Sequence, residues 1–454
     1  MKKNIIYVCI IIALIVVLCV CLWFVVGDRK GGNEVSSDNE VSKDINMPVG
    51  QGGSEKSQNV SVKKVGAQEF SSDVEESDKE YVSSDADENA VLIKDGANVK
   101  ITNSSVNKAS GDVSDTENSE FYGVNAGILV EESSSAYLDN LEITTSAKGA
   151  NAVFSTGTDS KVYISNSNIS TSSNSSRGLD STYGGYIAAD NVTISTKGVS
   201  CATLATDRGE GTVIVKNSKL STAGQGSPVI YSTGNISIKD TEGVATGAQM
   251  VVIEGKNTAT VTDSVLECSG KGNRNDVDNC GIMIYQSMSG DAGQGTGTFN
   301  AKNSRLSISS DSSLYDSVPF FFITNTSAVI NLEDCDLNYG SGVLIKAEGT
   351  DEWGKSGNNG GDLTLNAVNQ ELVGDVVADS ISSVILNLKD GSSWKGNVNS
   401  EDSAKEVSVS LDSSSTWVLT GDCYLTSLDD EDSSYSNIDF NGFILYVNGV
   451  AVNG

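Results

Sequence analysis

Short runs of alternating apolar and polar residues recur along the chain, and an Asn or Asp follows most of them. In residues 211–215 the side chains of Val213 and Val215 share one face, because successive residues of a strand point to opposite sides. Leu220 falls on the opposite parity, so the chain turns between Val215 and Leu220. Asn217 suits this turn, because Asn and Asp tolerate left-handed backbone angles and bond to their own backbone. The pattern predicts a strand, an Asx corner and a second strand.

This corner recurs along residues 101–337 with a nearly regular spacing. Its Asx position is occupied in turn by Asn103, Asn140, Asn166, Asn191, Asn217, Asp240, Asp263, Asn303 and Asp334. The steps between them are 37, 26, 25, 26, 23, 23, 40 and 31 residues, so a period in the low twenties carries occasional insertions. Such a period is typical of solenoids. Because the coils leave almost no room for helices, the predicted fold class is all-β, a parallel β-solenoid.

Apolar runs upstream of the corners, such as residues 124–130 and 320–323, predict a second column of strands. With this pattern the chain from residue 90 to 450 resembles the right-handed parallel β-helices of the pectate-lyase-like superfamily. The resemblance implies that the Asn residues stack as an internal ladder at the corner. The closing coils, in which Trp394 and Trp417 are 23 residues apart, resemble those of bacterial adhesin-like and autotransporter-passenger β-helices.

Four segments are predicted along the chain. They are an N-terminal membrane anchor at 1–30, an acidic Ser/Gly-rich disordered stalk at 31–89, a β-helix with Asx-ladder repeats at 90–340, and C-terminal β-helix coils with a cap at 341–454. The stalk prediction rests on 14 acidic residues and 5 lysines among few apolar ones, a composition that stays extended and unfolded.

The anchor prediction rests on the apolar run at residues 5–27, which is long enough to cross a bilayer as one transmembrane helix. It lacks the small-residue cleavage site of a signal peptide. Lys2 and Lys3 favour a cytoplasmic amino terminus. The predicted location is therefore the cell membrane, single-pass, with the C-terminal region extracellular. A cleaved export signal and a secreted product are the alternative.

Charge and composition narrow the classes of function. The chain has 60 acidic and 30 basic residues, a net charge of −30, and no His. This balance argues against binding to nucleic acid or to an anionic bilayer through electrostatics, because Lys and Arg make the phosphate contacts. The absence of His removes the usual general base of hydrolytic triads. Carboxylate-based glycosidases and calcium-assisted polysaccharide lyases need no His, and both occur on the β-helix architecture.

Five charged residues form the best catalytic constellation in the sequence. They are Arg177, Asp180, Asp207, Arg208 and Glu210. They lie roughly one coil apart, so stacked edge turns would bring them together. Carboxylates beside an Arg fit a lyase or glycosidase. The alternative is a surface ion-pair network, and no catalytic role is assigned.

Five Gly/Ser/Asp-rich excursions are expected to bulge from single coils and to build the binding face. They are residues 106–123, 170–186, 268–280, 286–297 and 350–362. Tyr183, Tyr186 and Trp353 are the candidates for stacking against a sugar, because exposed rings present apolar faces.

Cysteines and acidic loops give the remaining candidate chemistry. Cys201, Cys268, Cys280, Cys335 and Cys423 lie outside the anchor and are expected to be buried, with a Cys268–Cys280 disulfide as the alternative. No zinc site is predicted. Residues 275–279 and 429–432 could hold structural calcium, and solvated loops are the alternative.

The predicted function is a membrane-tethered extracellular β-helix that acts as an adhesin-like or carbohydrate-binding surface module. It is expected to be non-enzymatic. The expected partners are extracellular glycans or the surface of a host or neighbouring cell, and the membrane through the N-terminal helix. A β-helix polysaccharide lyase or glycosidase, and a purely structural spacer, are the alternatives.

Overall fold

The computed structural model describes residues 62–453, so the predicted anchor at 1–30 and most of the predicted stalk lie outside the described residues. Within residues 62–453, no helix is long and apolar enough to cross a membrane. These residues form a parallel β-solenoid built on three long sheets, named A, B and C. The prediction of an all-β fold with long parallel sheets, as in a β-helix, is confirmed.

The first ten coils pass through sheets A, B and C in that order, and after sheet C ends the later coils use two short sheets. Within each of the three long sheets, a strand pairs with the equivalent strands of the neighbouring coils. The twelve strands of sheet A are Val65–Phe70, Glu88–Ile93, Ile128–Val130, Val153–Thr156, Leu179–Thr182, Leu204–Thr206, Ile230–Ser232, Val251–Glu254, Ile282–Tyr285, Phe321–Thr324, Val343–Ala347 and Asp375–Ala378. The fourteen strands of sheet B are Val74–Ser77, Asn98–Thr102, Ser135–Asp139, Lys161–Ser165, Tyr186–Asp190, Thr212–Lys216, Asn235–Lys239, Thr258–Thr262, Thr296–Lys302, Thr326–Glu333, Gly361–Val368, Ser383–Lys389, Glu406–Leu411 and Ser427–Asp430. The ten strands of sheet C are Glu80–Ser83, Ser105–Lys108, Glu142–Thr145, Asn168–Thr171, Thr193–Thr196, Lys219–Thr222, Glu242–Ala245, Val265–Cys268, Arg305–Ile308 and Asp336–Asn338.

Two short sheets, D and E, close the C-terminal coils. Sheet D contains Glu371–Val373, Ser393–Lys395, Thr416–Val418 and Ile438–Asp439. Sheet E contains Cys423–Leu425, Leu445–Val447 and Val450–Ala451. Its last two strands are antiparallel and are joined by Asn448 and Gly449, both at positive φ. An Asn-Gly pair is typical of such a hairpin. The hairpin lies within the segment predicted to contain a cap, and it pairs with an edge of Leu445–Val447 that would otherwise be open.

One continuous apolar core fills the solenoid, because the alternate residues that point inward are apolar in coil after coil. Val213 pairs with Ile187 of the preceding coil and with Ile236 of the following one, and all three side chains are buried. Trp394 and Trp417 stack with centroids 4.7 Å apart in the closing coils. Both side chains are buried, so two Trp residues separated by one coil step lie on top of each other inside the solenoid.

At the corner between sheets B and C, the predicted turn is present but the predicted internal Asn ladder is wrong. All nine Asx residues have φ between 49° and 55°, the left-handed conformation that Asn and Asp tolerate. Their side chains leave the coil, and none of the nine is buried. Asn217, for example, is exposed, and its Nδ2 donates to Asp190 Oδ1 of the preceding coil at 2.8 Å.

The buried ladder belongs to the residue after the Asx. Ser218 is 4% exposed, and its Oγ donates to the Lys216 carbonyl and accepts from the Val192 amide, at 2.6 and 3.1 Å. The same buried position is occupied by Ser104, Ser167, Thr241, Ser264 and Ser304. A residue in the left-handed conformation points its side chain outward at this turn, so the hydroxyl that follows it turns inward and satisfies the corner's backbone.

Replacing Ser218 with Ala is expected to lower the free energy of unfolding by about 1–3 kcal/mol, because the buried Val192 amide loses its acceptor. Asn217→Gly is the matched control and should cost less, since Gly adopts a positive φ without strain. Chemical denaturation of both variants measures the difference. If Asn217→Gly lowers the free energy of unfolding more than Ser218→Ala does, the conclusion that Ser218 and not Asn217 is the buried corner residue is wrong.

The boundary predicted for the stalk at residue 89 is also wrong, because the first coil begins at Val65. Its strand pairs in parallel with Glu88–Ile93. Phe70 and Tyr81 pack on the core, and acidic residues such as Glu75 take the outward positions. The acidic composition of this segment therefore reflects its outer face, and the few apolar residues suffice for the inner one.

Candidate functional site

Four charged side chains meet between sheet A and the single described helix, Thr116–Tyr122. Arg177 Nη2 lies 2.9 Å from Asp207 Oδ2 and 3.8 Å from Glu120 Oε1. Arg177 Nη1 lies 3.6 Å from Asp180 Oδ2. Arg177, Asp180 and Asp207 were predicted to converge, and the structure brings them together. Glu120 is the member that sequence reasoning missed.

Burial dominates the electrostatics of this cluster. It raises the pKa of Asp180 to about 7 against the opposing effect of Arg177, and it raises the pKa of Asp207 well above its usual value. Burial lowers the pKa of Arg177, but Asp207, Glu120 and Asp180 together raise that pKa above its usual value. The guanidinium therefore stays charged and is the shared cation of three carboxyl groups.

The helix closes this cluster off from solvent. It is capped by Asp115, which accepts from the Glu117 amide, and by Gly123 in the left-handed conformation. The Phe121 carbonyl accepts a hydrogen bond from Thr182 Oγ1 of sheet A at 2.9 Å. Asp180 beneath it is 0% exposed. In this arrangement the cluster holds the helix on sheet A. The carboxyl groups of Asp180 and Asp207 are buried, and that of Glu120 is partly exposed.

The other two charged candidates lie outside the cluster. Arg208 Nη2 pairs with Asp291 at 2.6 Å, and its guanidinium lies 3.8 Å from the Phe121 ring centroid. Glu210 pairs with Lys256 at 2.7 Å. The prediction that all five residues converge is therefore wrong for Arg208 and Glu210, because each takes a partner from a later coil.

Trp353 and Tyr183 are not the open sugar platform that was predicted. Trp353 is 6% exposed and packs edge-on against Tyr285, with centroids 5.2 Å apart, because its loop folds back on the outer face of sheet A. Tyr183 stacks on Tyr122 of the helix at 5.6 Å. The outer face of sheet A is thus covered along these coils by its own insertions.

Tyr186 instead belongs to an aromatic group on the outer face of sheet B. Tyr137 and Tyr163 are register partners on adjacent strands and stack with centroids 5.2 Å apart and planes within 9°. Tyr186 lies 6.0 Å from Tyr163. Tyr137 and Tyr163 are 47% and 38% exposed. Sequence reasoning missed these two, although their separation of 26 residues equals a coil step.

Tyr137 and Tyr163 line a shallow depression of about 350 Å³, together with Ala188 and Ile214. The carboxylates of this depression already have ion-pair or hydrogen-bond partners within the protein. Asp190 pairs with Lys216 at 3.1 Å, and hydrogen bonds from Ser165 and Asn166 lower the pKa of Asp139. The depression therefore offers aromatic faces, aliphatic contacts and a rim of hydrogen-bonding groups.

The cysteines and the acidic side chains of the two loops proposed for calcium make contacts within the described part of the chain. Its five cysteines, the residues predicted to be buried, are buried and unbridged, and burial raises the pKa of each. In residues 62–453, no group of three Asp, Glu or Cys has the geometry to hold a metal ion. In the two loops proposed for calcium, Asp278 accepts from the amides of Asn273 and Arg274, and Asp432 from those of Ser434 and Ser436.

Comparison with protein-family models, with curated proteins and with solved structures finds no match. The interpretation of the aromatic face of sheet B therefore rests on its own residues.

Proposed function

We propose that the outer face of sheet B binds a glycan, and that the protein is an adhesin-like, carbohydrate-binding module tethered at the cell surface by its N-terminal segment. The observation that carries this proposal is the stacked, exposed pair Tyr137 and Tyr163. The same proposal includes a relationship between this chain and the right-handed β-helices of surface adhesins.

The chemistry of this face suits a sugar. Tyr rings combine an apolar surface with a polar hydroxyl, and they suit interfaces that are apolar at one end and wet at the other. Sugars present C–H faces for such rings and hydroxyls for the rim. A strand surface holds the rings rigidly, so little conformational entropy is lost when a ligand binds. Exposed apolar clusters on a soluble surface also mark interaction sites.

The two alternative functions have less support. A spacer has no need of exposed aromatic rings stacked on successive coils. A lyase or glycosidase needs carboxyl groups in contact with its substrate, whereas Asp180 lies beneath the helix and is fully buried. We therefore propose binding without turnover.

Replacing both Tyr137 and Tyr163 with Ala in the full-length chain is expected to weaken glycan binding about tenfold or more. Two aromatic contacts of about 0.5–1.5 kcal/mol each account for a loss of this size. Titration calorimetry or affinity electrophoresis against a panel of neutral and acidic polysaccharides measures the effect.

The matched control is the double Ala variant of Tyr424 and Tyr446, a stacked pair with centroids 4.8 Å apart in sheet E. It should bind as the parent chain does. Retention of full affinity by the Tyr137/Tyr163 variant would refute the proposed face. Release of new reducing ends or unsaturated products by the parent chain would support the enzymatic alternative instead.

A further inference from the structure

A row of amides continues the outer face of sheet B beyond the tyrosines. Asn300, Asn331, Asn366 and Asn387 are register partners on four successive strands. Each Nδ2 donates to the Oδ1 of the preceding Asn at 2.8 Å, and that of Asn300 donates to Thr260 Oγ1 at 3.2 Å. We call this row the amide ladder.

The amide ladder leaves hydrogen-bonding capacity unused. A carboxamide has two N–H donors and an oxygen with two lone pairs, and the ladder uses one of each per internal residue. All four side chains are half-buried, so the remaining groups face solvent in a fixed orientation. Asn is depleted in strands, and the coil turns are made elsewhere. The bonds within the ladder join neighbouring coils, and the second donor and the second lone pair of each internal amide are not used by the ladder.

The amide ladder and the tyrosines occupy one column of the same sheet. The register of sheet B connects Tyr137, Tyr163, Ala188, Ile214, Ser237, Thr260 and then the four Asn residues. A second shallow depression of about 330 Å³ lies along the ladder, lined by Thr260, Asn300, Asn331 and Asn366. From Tyr137 to Asn387 there are nine strand intervals, or about 43 Å at about 4.8 Å each.

We call this column of residues, with the two depressions along it, the groove. The charged side chains beside the groove form pairs of opposite sign. Lys216 pairs with Asp190, Lys239 with Asp263 at 3.5 Å, and Lys302 with Glu333 at 2.6 Å. The chain as a whole carries a net charge of −30, which repels polyanions. The groove therefore has no excess of cations with which to hold an acidic polymer, and its open groups are amides and hydroxyls.

We propose that the groove binds one extended, uncharged, linear polysaccharide along the solenoid axis, with the tyrosines stacking on one part of the polymer and the amide ladder hydrogen-bonding to the hydroxyls of another. This inference rests on the proposed glycan-binding function and adds the class, the length and the direction of the ligand. The tyrosines alone hold a short oligosaccharide, and only a longer one reaches the amides.

The test compares polymer length in the full-length chain. The probes are neutral β-glucans and xylans with their short oligomers, and polygalacturonate and alginate as polyanions. Asn331→Ala/Asn366→Ala is expected to weaken binding of the long neutral polymer about tenfold and to leave the short oligomer unaffected. Tyr137→Ala/Tyr163→Ala should weaken both. Asn168→Ala/Asn338→Ala, two exposed positions on sheet C, is the matched control and should change neither.

The remaining outcomes are decisive as well. If the Asn331/Asn366 variant binds the long polymer as the parent does while the tyrosine variant does not, the inference fails and the proposed function stands. Tighter binding of polygalacturonate or alginate than of neutral polymers also overturns it. If the parent chain binds none of the probes, the proposed function itself fails. Asn331→Thr/Asn366→Thr, which favours strands, replaces the Ala pair if the latter does not fold.

Discussion

Replacing Arg177 with Met is expected to lower the free energy of unfolding by about 3–5 kcal/mol, the cost of leaving buried charges without their partner. Arg177 is the cation that Asp180, Asp207 and Glu120 all contact. Without it, the carboxyl groups must be protonated or solvated, and either route detaches the helix Thr116–Tyr122 from sheet A. Chemical denaturation measures the loss, and hydrogen exchange in the helix should rise first.

Two further variants separate this network effect from a general effect of losing an Arg. Arg305→Met, at an exposed position on sheet C, should change stability by no more than about 0.5 kcal/mol. Asp207→Asn added to Arg177→Met should recover part of the loss, because one buried charge is removed with its partner. A cost below about 1 kcal/mol for Arg177→Met would mean that the cluster is solvated and does not hold the helix.

Trp417→Ala is expected to cost about 3–5 kcal/mol and to open the C-terminal coils first. Trp417 is fully buried, it stacks on Trp394, and its indole N–H donates to the Gly396 carbonyl at 3.0 Å. Each coil contacts its neighbours, so the cavity weakens the last rungs most. Hydrogen exchange should therefore rise in sheets D and E before it rises in the N-terminal coils.

Trp417→Phe is the graded control for this site. It keeps one aromatic ring for stacking but loses the second ring of the indole and its N–H, so its cost should lie between those of the parent and Trp417→Ala. Equal stability of Trp417→Ala and the parent would mean that the stacked pair does not stabilise the closing coils.

The coils could be predicted because their signals are local. Period-two alternation identifies strands wherever one face is buried, and an Asx residue marks a corner that needs a positive φ. Trp394 and Trp417 could be assigned to the interior by the same reasoning, because a separation of one coil step places equivalent residues on top of each other. The cap at Asn448 and Gly449 follows from turn chemistry alone.

The candidate site could be predicted only in part, because burial of a loop side chain depends on where the loop returns. Trp353 lies in a Gly-rich excursion that looks exposed, yet that excursion folds onto sheet A and buries the ring. Tyr137 and Tyr163 lie in ordinary strands with no excursion, and no insertion within residues 62–453 covers their rings. The proposed site therefore lies on the outer face of sheet B, in regular strands, and not in the irregular loops where the sequence pattern predicts it.

The sequence by itself determined the strands, the coil period and the left-handed corners, since these depend on neighbouring residues and on backbone preferences that each residue carries with it. Only the tertiary structure decided which side of each corner faces inward, so that Ser218 and not Asn217 is buried. It also decided that, among the described residues, insertions cover part of the outer face of sheet A and leave Tyr137 and Tyr163 on sheet B exposed. Both outcomes depend on register and on contacts between residues far apart in the chain, which local patterns do not specify.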